Sequence, residues 1–179
     1  GADNPWTFLK GPTPTAGTGP GGTSHTNSTY AYCEVLPSKV GQTFGLVSPL
    51  IDLLEVDYGA DVVISFKYHM HGMHMGNLKV QASEDPDFET GVTDLRVDWG
   101  TFFATTIAGQ QHSYESDSFS TAYISTFEYG SLMKTTTNPG GLEDWIGRRF
   151  YIRLFYTAGP THFGDCAITD FNVYKRITS

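Results

Sequence analysis

Three histidines lie close together in residues 68–75, whose sequence is YHMHGMHM. The imidazoles of His69, His71 and His74 could meet the ligand count of a zinc or copper site. Lys67, however, falls on the same face of the predicted strand and would repel a cation, and no nearby cysteine or carboxylate completes the ligand set. A hairpin with incidental histidines is therefore favoured over a metal site. His71 and His74, in the turn, remain candidates for ligand binding.

Carboxylates alternate in the acidic segment EDPDFETG, at Asp85, Asp87 and Glu89. Such alternation is found in the calcium loop of an EF-hand, which also needs Gly at its sixth position and Glu at its twelfth. This chain has Thr90 and Arg96 at those positions. The segment is therefore interpreted as a solvated connection between strands rather than as a calcium loop.

Motifs of the common hydrolases do not occur in the sequence, which contains neither Gly-x-Ser-x-Gly nor His-Glu-x-x-His. A pair of carboxylates for glycoside cleavage would have to come from separate strands. Glu34 with Glu128 or Asp98 would be such a pair, but nothing in the spacing selects it. The sequence therefore predicts a protein that is not an enzyme.

Composition limits the class of protein that could carry these residues. The chain has 179 residues, of which 39% are hydrophobic and 17% charged, with 20 Gly and 9 Pro. This predicts one domain over residues 1–179, rich in strands and turns, with Gly1 and Ala2 as an expected cloning scar. A net charge of −8 without a basic cluster argues against a nucleic-acid partner. The apolar stretches are too short for a transmembrane helix, so membrane insertion is not expected.

Alternation with a period of two recurs along the chain and predicts the strands. In residues 62–70 the even positions are apolar, whereas the odd positions Ser65, Lys67 and His69 are polar. Residues 78–82 and 150–156 repeat the pattern, and residues 142–146 alone suggest a helical turn. The fold class predicted is an all-β sandwich. Its predicted core residues are Trp6, Phe66, Tyr68, Leu78, Ile152, Leu154 and Ile168.

Several segments, taken in order, resemble the MAM domain family of adhesion modules. They are Trp6, GTGP at 17–20, YAYCE at 30–34, LVSPL at 46–50, FKYHMHG at 66–72, MGNLKV at 75–80 and GDCAITDF at 164–171. The resemblance implies a jelly-roll sandwich of two antiparallel sheets. The family's disulfide-forming cysteines are absent, as in cysteine-poor members from bacterial surface proteins and phage structural proteins, so a microbial or viral source is expected. Residues 101–137 match the family poorly.

The two cysteines of the chain, Cys33 and Cys166, fall on strand positions that are predicted to face the core. They could be two buried free thiols or one disulfide between the first core strand and the last. The first and last strands of a jelly roll are often neighbours. If the domain is exported, we therefore expect Cys33 and Cys166 to form a disulfide.

Some family members bind a cation between an early loop and the last strand, which implies a structural Ca²⁺ site in this chain. Residues 11–29 offer almost no apolar side chain to bury, but they supply backbone carbonyls and hydroxyls, which are ligands that Ca²⁺ prefers. The alternative is a loop held by turns and its own hydrogen bonds. The ligands expected, with the carboxylates in order of preference, are Asp170, Asp3 and Glu34, together with the hydroxyls of Thr18, Thr23 and Ser24.

The function expected from this resemblance is a recognition or adhesion module, located outside a cell, on a cell surface or on a virion. Its partner would be a glycan or a surface protein, and aromatic platforms for sugar rings are candidates at Trp99, Tyr114, Tyr123 and Tyr129. The alternative is a structural or assembly domain of a fibre, spike or particle, including a phage tail or decoration protein, which would form a homo-oligomer. A glycan-cleaving enzyme is the third and least favoured hypothesis.

Overall fold

The computed structural model describes residues 3–21, 28–99, 103–126 and 141–177. Those residues form β-strands and two short 3₁₀ helices, Pro37–Lys39 and Leu142–Trp145, the second of which confirms the predicted helical turn. The strands are β1 (Thr7–Leu9), β2 (Tyr30–Tyr32), β3 (Thr43–Val47), β4 (Ile51–Asp52), β5 (Asp61–Met70), β6 (Asn77–Ser83), β7 (Thr93–Asp94), β8 (Val97–Asp98), β9 (Phe103–Ala104), β10 (Ile107–Ala108), β11 (Ser120–Ser125), β12 (Arg149–Thr157) and β13 (Cys166–Arg176).

Two antiparallel sheets pack on each other as a jelly-roll-like sandwich, which confirms the predicted fold class. The first, called the β5 sheet, has the strand order β1-β2-β13-β5-β11-β8-β9. The second, called the β12 sheet, has the order β10-β6-β12-β3, with β4 beside β12 and β7 beside β6. The longest strands, β5 and β13, are neighbours and form the centre of the first sheet.

The core lies between the sheets and is filled by the residues that the alternation predicts. On β12 every second residue from Phe150 to Tyr156 is buried, because successive side chains of a strand point to opposite faces. All seven predicted core residues are buried in the structure. The outer face of the β5 sheet differs from the simple pattern, since His69 lies on that face and is nevertheless fully buried by His112 and Phe119.

A β-bulge interrupts β13 in the middle of the β5 sheet. Thr169 pairs with Lys67 and Asn172 pairs with Ser65, so two residues of β13 oppose one residue of β5. Asp170, in the bulge, has a φ of 52°, a left-handed conformation that residues other than Gly seldom adopt. The bulge changes the parity of β13, and for this reason Asn172 takes the same outer face as Ser65.

Candidate functional site

The outer face of the β5 sheet carries a cavity of about 300 Å³ midway along its central strands. We call this cavity the sheet-face groove. Its floor and walls come from three neighbouring strands, β11, β5 and β13. The side chains that line it are mainly polar and aromatic: Ser65, Lys67, Thr121, Tyr123, Asn172 and Tyr174.

Strand register determines how these side chains are arranged. Tyr123 on β11 lies opposite Ser65 on β5, which in turn lies opposite Asn172 on β13. Tyr174 lies two residue pairs further along, opposite Val63. The two tyrosines therefore stand on either side of β5, about 10 Å apart across the strands and about 7 Å apart along them, with a hydroxyl and an amide between them. Their side chains are 41% and 40% exposed, so part of each ring is accessible to a ligand.

A charged pair completes the sheet-face groove at the bulge. Lys67 Nζ lies 3.4 Å from Asp170 Oδ2, and both side chains are about half-exposed. Water screens such a pair, so it adds little to the stability of the fold. The side-chain amide of Asn172 donates a hydrogen bond of 3.1 Å to the Asp170 carbonyl, which holds the bulge in place. An ammonium donor and a carboxylate acceptor are thus presented side by side to a ligand.

Of the three aromatic residues predicted as sugar platforms that the structure describes, Trp99, Tyr114 and Tyr123, only Tyr123 lies in the groove. Trp99 packs partly buried against the core, and Tyr114 is exposed on the loop before β11, outside the groove lining. Tyr129 lies outside the described residues. Tyr174 was missed by sequence reasoning because the bulge reverses the alternation of β13 before that residue is reached.

The early loop, described from residue 11 to residue 21, is held by hydrogen bonds to the rest of the domain. The buried Thr18 hydroxyl donates to the His71 carbonyl at 2.9 Å and accepts from the Asp165 amide at 2.8 Å. Glu115 binds the loop from another side, since its carboxylate accepts from the Gly17 amide at 2.6 Å. Hydrogen bonds thus hold this part of the loop, as expected if the loop is ordered without a bound ion.

Two carboxylates with unpartnered oxygens lie beneath this loop. Asp165 is fully buried, and its Oδ1 accepts from the Val35 amide at 2.9 Å, whereas its Oδ2 has no hydrogen-bond partner. Glu34 Oε1 accepts from the Thr15 hydroxyl at 3.3 Å, and its buried Oε2 has no partner within hydrogen-bonding geometry, although the Tyr32 hydroxyl interacts with the same carboxylate. Burial, with a smaller effect of the negative charge of Glu34, raises the pKa of Asp165 to about 7.

The Glu34–Asp165 pair suits the cation that the family resemblance implies. Buried carboxylate oxygens without partners are ligands that Ca²⁺ can use. No group of three or more histidine, cysteine or acidic side chains with metal-binding geometry occurs among the described residues. Further ligands to an ion here would therefore be hydroxyl and carbonyl oxygens, of which Thr18 lies next to Asp165.

The other expected ligands do not join this pair. Asp170 faces Lys67 on the sheet-face groove, and Asp3 accepts from the Thr43 hydroxyl at 2.6 Å and from Arg153 at 3.0 Å. Thr23 and Ser24 lie outside the described residues. Among the described residues of the expected set, Glu34 and Thr18 are the ones placed at the early loop. The acidic residue that accompanies them is Asp165, five positions before Asp170.

The two histidines of the turn, His71 and His74, both form hydrogen bonds within the domain, and their role in ligand binding stays a prediction. His71 donates through Nδ1 to the His112 carbonyl at 3.0 Å, and His74 Nδ1 lies 2.8 Å from the Thr161 hydroxyl. The cysteines are neighbours, as expected for first and last strands, because the Cys33 amide donates to the Cys166 carbonyl at 2.8 Å. Both thiols are free and buried in the structure, so the disulfide stays a prediction.

Comparison with known proteins gives no assignment, since neither a family model nor a curated protein matches this chain. Among the described residues there is no helix with the length and hydropathy that crossing a membrane would require.

Proposed function

We propose that this protein is a non-catalytic recognition module, displayed outside a cell or on a virion, that binds a glycan in the sheet-face groove. The observation that carries the proposal is the pair of half-exposed tyrosines, Tyr123 and Tyr174, on either side of a polar floor. A sugar ring presents apolar C–H faces and a rim of hydroxyls. Tyrosine rings can pack on the faces, while polar groups bind the rim.

The polar groups of the groove include both donors and acceptors of hydrogen bonds for sugar hydroxyls. The Lys67 ammonium only donates, the Asp170 carboxylate only accepts, and the Asn172 amide does both. Hydroxyls of a sugar also donate and accept, so each of these groups can be satisfied by a bound sugar. A cavity of about 300 Å³ is at the small end of ligand sites, which favours a short glycan segment.

Titration calorimetry of the purified domain, with ligands chosen from a glycan array, tests the proposal. Tyr123→Ala and Tyr174→Ala are each expected to weaken binding at least tenfold, because each removes a stacking face. Tyr58→Ala is the matched control, since Tyr58 is 84% exposed and lies outside the groove lining. An array without any bound glycan, or groove variants that bind as the parent does, would refute the proposal.

A further inference from the structure

A second cavity, also of about 300 Å³, lies between the two sheets. We call it the inter-sheet cleft. In contrast to the sheet-face groove, most of its lining is apolar, and several lining residues belong to the hydrophobic core. The residues that define its character are Phe8, Ala31, Leu46, Leu154, Ile168 and Phe171.

The cleft borders the sheet-face groove because the neighbour of β13 ends early. Strand β2 has three residues and pairs with β13 only at Ala167 and Ile168. Beyond Ile168 the described part of β2 offers β13 no partner on that edge, and the bulge follows immediately. Asp170 lines both cavities, and Phe171 next to it packs against the core. The bulge is therefore the place where a polar groove and an apolar cleft meet.

We infer that the ligand of this protein is amphiphilic, a glycan that carries an alkyl or acyl substituent. The inference rests on the proposed function, because it assigns the sugar to the sheet-face groove and adds the chain in the inter-sheet cleft. Water in a cleft lined by Leu154 and Ile168 finds few hydrogen-bond partners, so an aliphatic chain gains by replacing it. Each buried methylene group increases affinity about fourfold.

The adjacent sugar site is the reason to assign the cleft to a chain attached to a sugar. Residues at the mouth, such as the 66% exposed Phe8, could also contact a second copy of the protein. A second copy, however, would leave unexplained why Asp170 borders the groove and the cleft together. One ligand with a polar end and an apolar end accounts for both cavities.

Paired methyl and n-octyl glycosides of glucose, galactose and mannose test the inference by calorimetry, below the concentration at which the octyl compounds form micelles. For the sugar that binds, the octyl glycoside is expected to bind at least tenfold more tightly than the methyl glycoside. Ala31→Leu places a larger side chain in the cleft, and it should remove this gain without changing methyl glycoside binding. Leu46→Phe is a second cleft variant, and Ala108→Leu, on an exposed strand outside the cleft, is the control.

Three results would overturn the inference. Equal affinities for a bound methyl glycoside and its octyl counterpart would overturn it and leave the proposed function intact. A second result would overturn the inference and the proposed function together. In that case no methyl glycoside binds, and an octyl glycoside binds Tyr123→Ala as tightly as it binds the parent. A dimer in light scattering that Phe8→Ser dissociates, with no gain from the octyl chain, would assign the cleft to a second copy.

Discussion

The buried stack of His69 on His112 is expected to make the fold sensitive to acid. The two rings are 4.5 Å apart and nearly parallel, and neither ring nitrogen of the fully buried His69 reaches a hydrogen-bond partner. Burial, followed by the charges of His112 and His71, lowers the pKa of His69 from its usual 6.5 to about 3. The charge of Asp117 and its nearby backbone, which does not come within hydrogen-bonding geometry of either ring nitrogen, oppose this shift, but burial outweighs them.

The sign and the size of the effect follow from proton linkage. The unfolded chain takes up a proton at His69 as the pH falls below about 6.5, whereas the folded protein does so only near 3. The contribution of neutral His69 to the free energy of unfolding is therefore fully present above pH 6.5. It is lost as the pH falls towards 3. At 1.36 kcal/mol for each pH unit, the loss in the free energy of unfolding reaches about 5 kcal/mol. A domain of this size has about 5–15 kcal/mol in total.

Urea denaturation of the parent and of His69→Phe between pH 8 and pH 3.5 measures this effect. At pH 7.5 the variant should be at least as stable as the parent, because it buries an apolar ring in place of two unpartnered nitrogens. Below pH 6.5 the parent should lose stability more steeply than the variant. His162→Gln, at a partly exposed histidine that packs on Phe163, is the control. Equal slopes for parent and His69→Phe would contradict the reasoning.

Three more predictions concern the cation, the core and the cysteines. Millimolar Ca²⁺ should raise the melting temperature relative to chelator, by the equivalent of ~2.7 kcal/mol at a hundred times Kd. Asp165→Asn should abolish that rise and Asp170→Ala should keep it; a rise lost only in Asp170→Ala would contradict the assignment. Phe66→Ala should lower the free energy of unfolding by about 2–5 kcal/mol, and a variant that melts like the parent would be inconsistent with its buried position. In oxidised protein that is unfolded without reductant, Cys33 and Cys166 should resist alkylation, and mass spectrometry that finds both modified would exclude the disulfide.

Much of the fold could be predicted because side chains in a strand point to the same face at every second residue. The alternation in residues 62–70 and 150–156 identifies β5 and β12, and on β12 it also identifies the buried residues, whereas β5 buries every residue except Lys67. Burial of His69 could not be predicted in this way, because its cover comes from His112 and Phe119, which are distant in sequence. When residues distant in sequence bury the outer face of a strand, the alternation within that strand does not reveal it.

The candidate sites were predicted in part, and the residues that were missed lie in or next to β13. Tyr123 was predicted because it lies in residues 101–137, which match the family poorly, whereas Tyr174 follows the bulge, after which the parity of β13 is reversed. Asp165 and Asp170 both belong to GDCAITDF, and the sequence alone does not distinguish which carboxylate is buried. Asp165 lies just before β13 and points inward to Val35, whereas Asp170 lies in the bulge.

The bulge gives a physical reason to look for function at this point of the sheet. A left-handed backbone at a residue other than Gly costs about 1–3 kcal/mol. The exposed ion pair between Asp170 and Lys67 is worth at most about 1 kcal/mol, so it does not offset the upper part of that cost. Gly would adopt this conformation at a lower cost, although Asp tolerates it better than most other residues. A carboxylate where the sheet-face groove meets the inter-sheet cleft agrees with the binding role that we propose, since strain at such residues is commonly retained at functional sites.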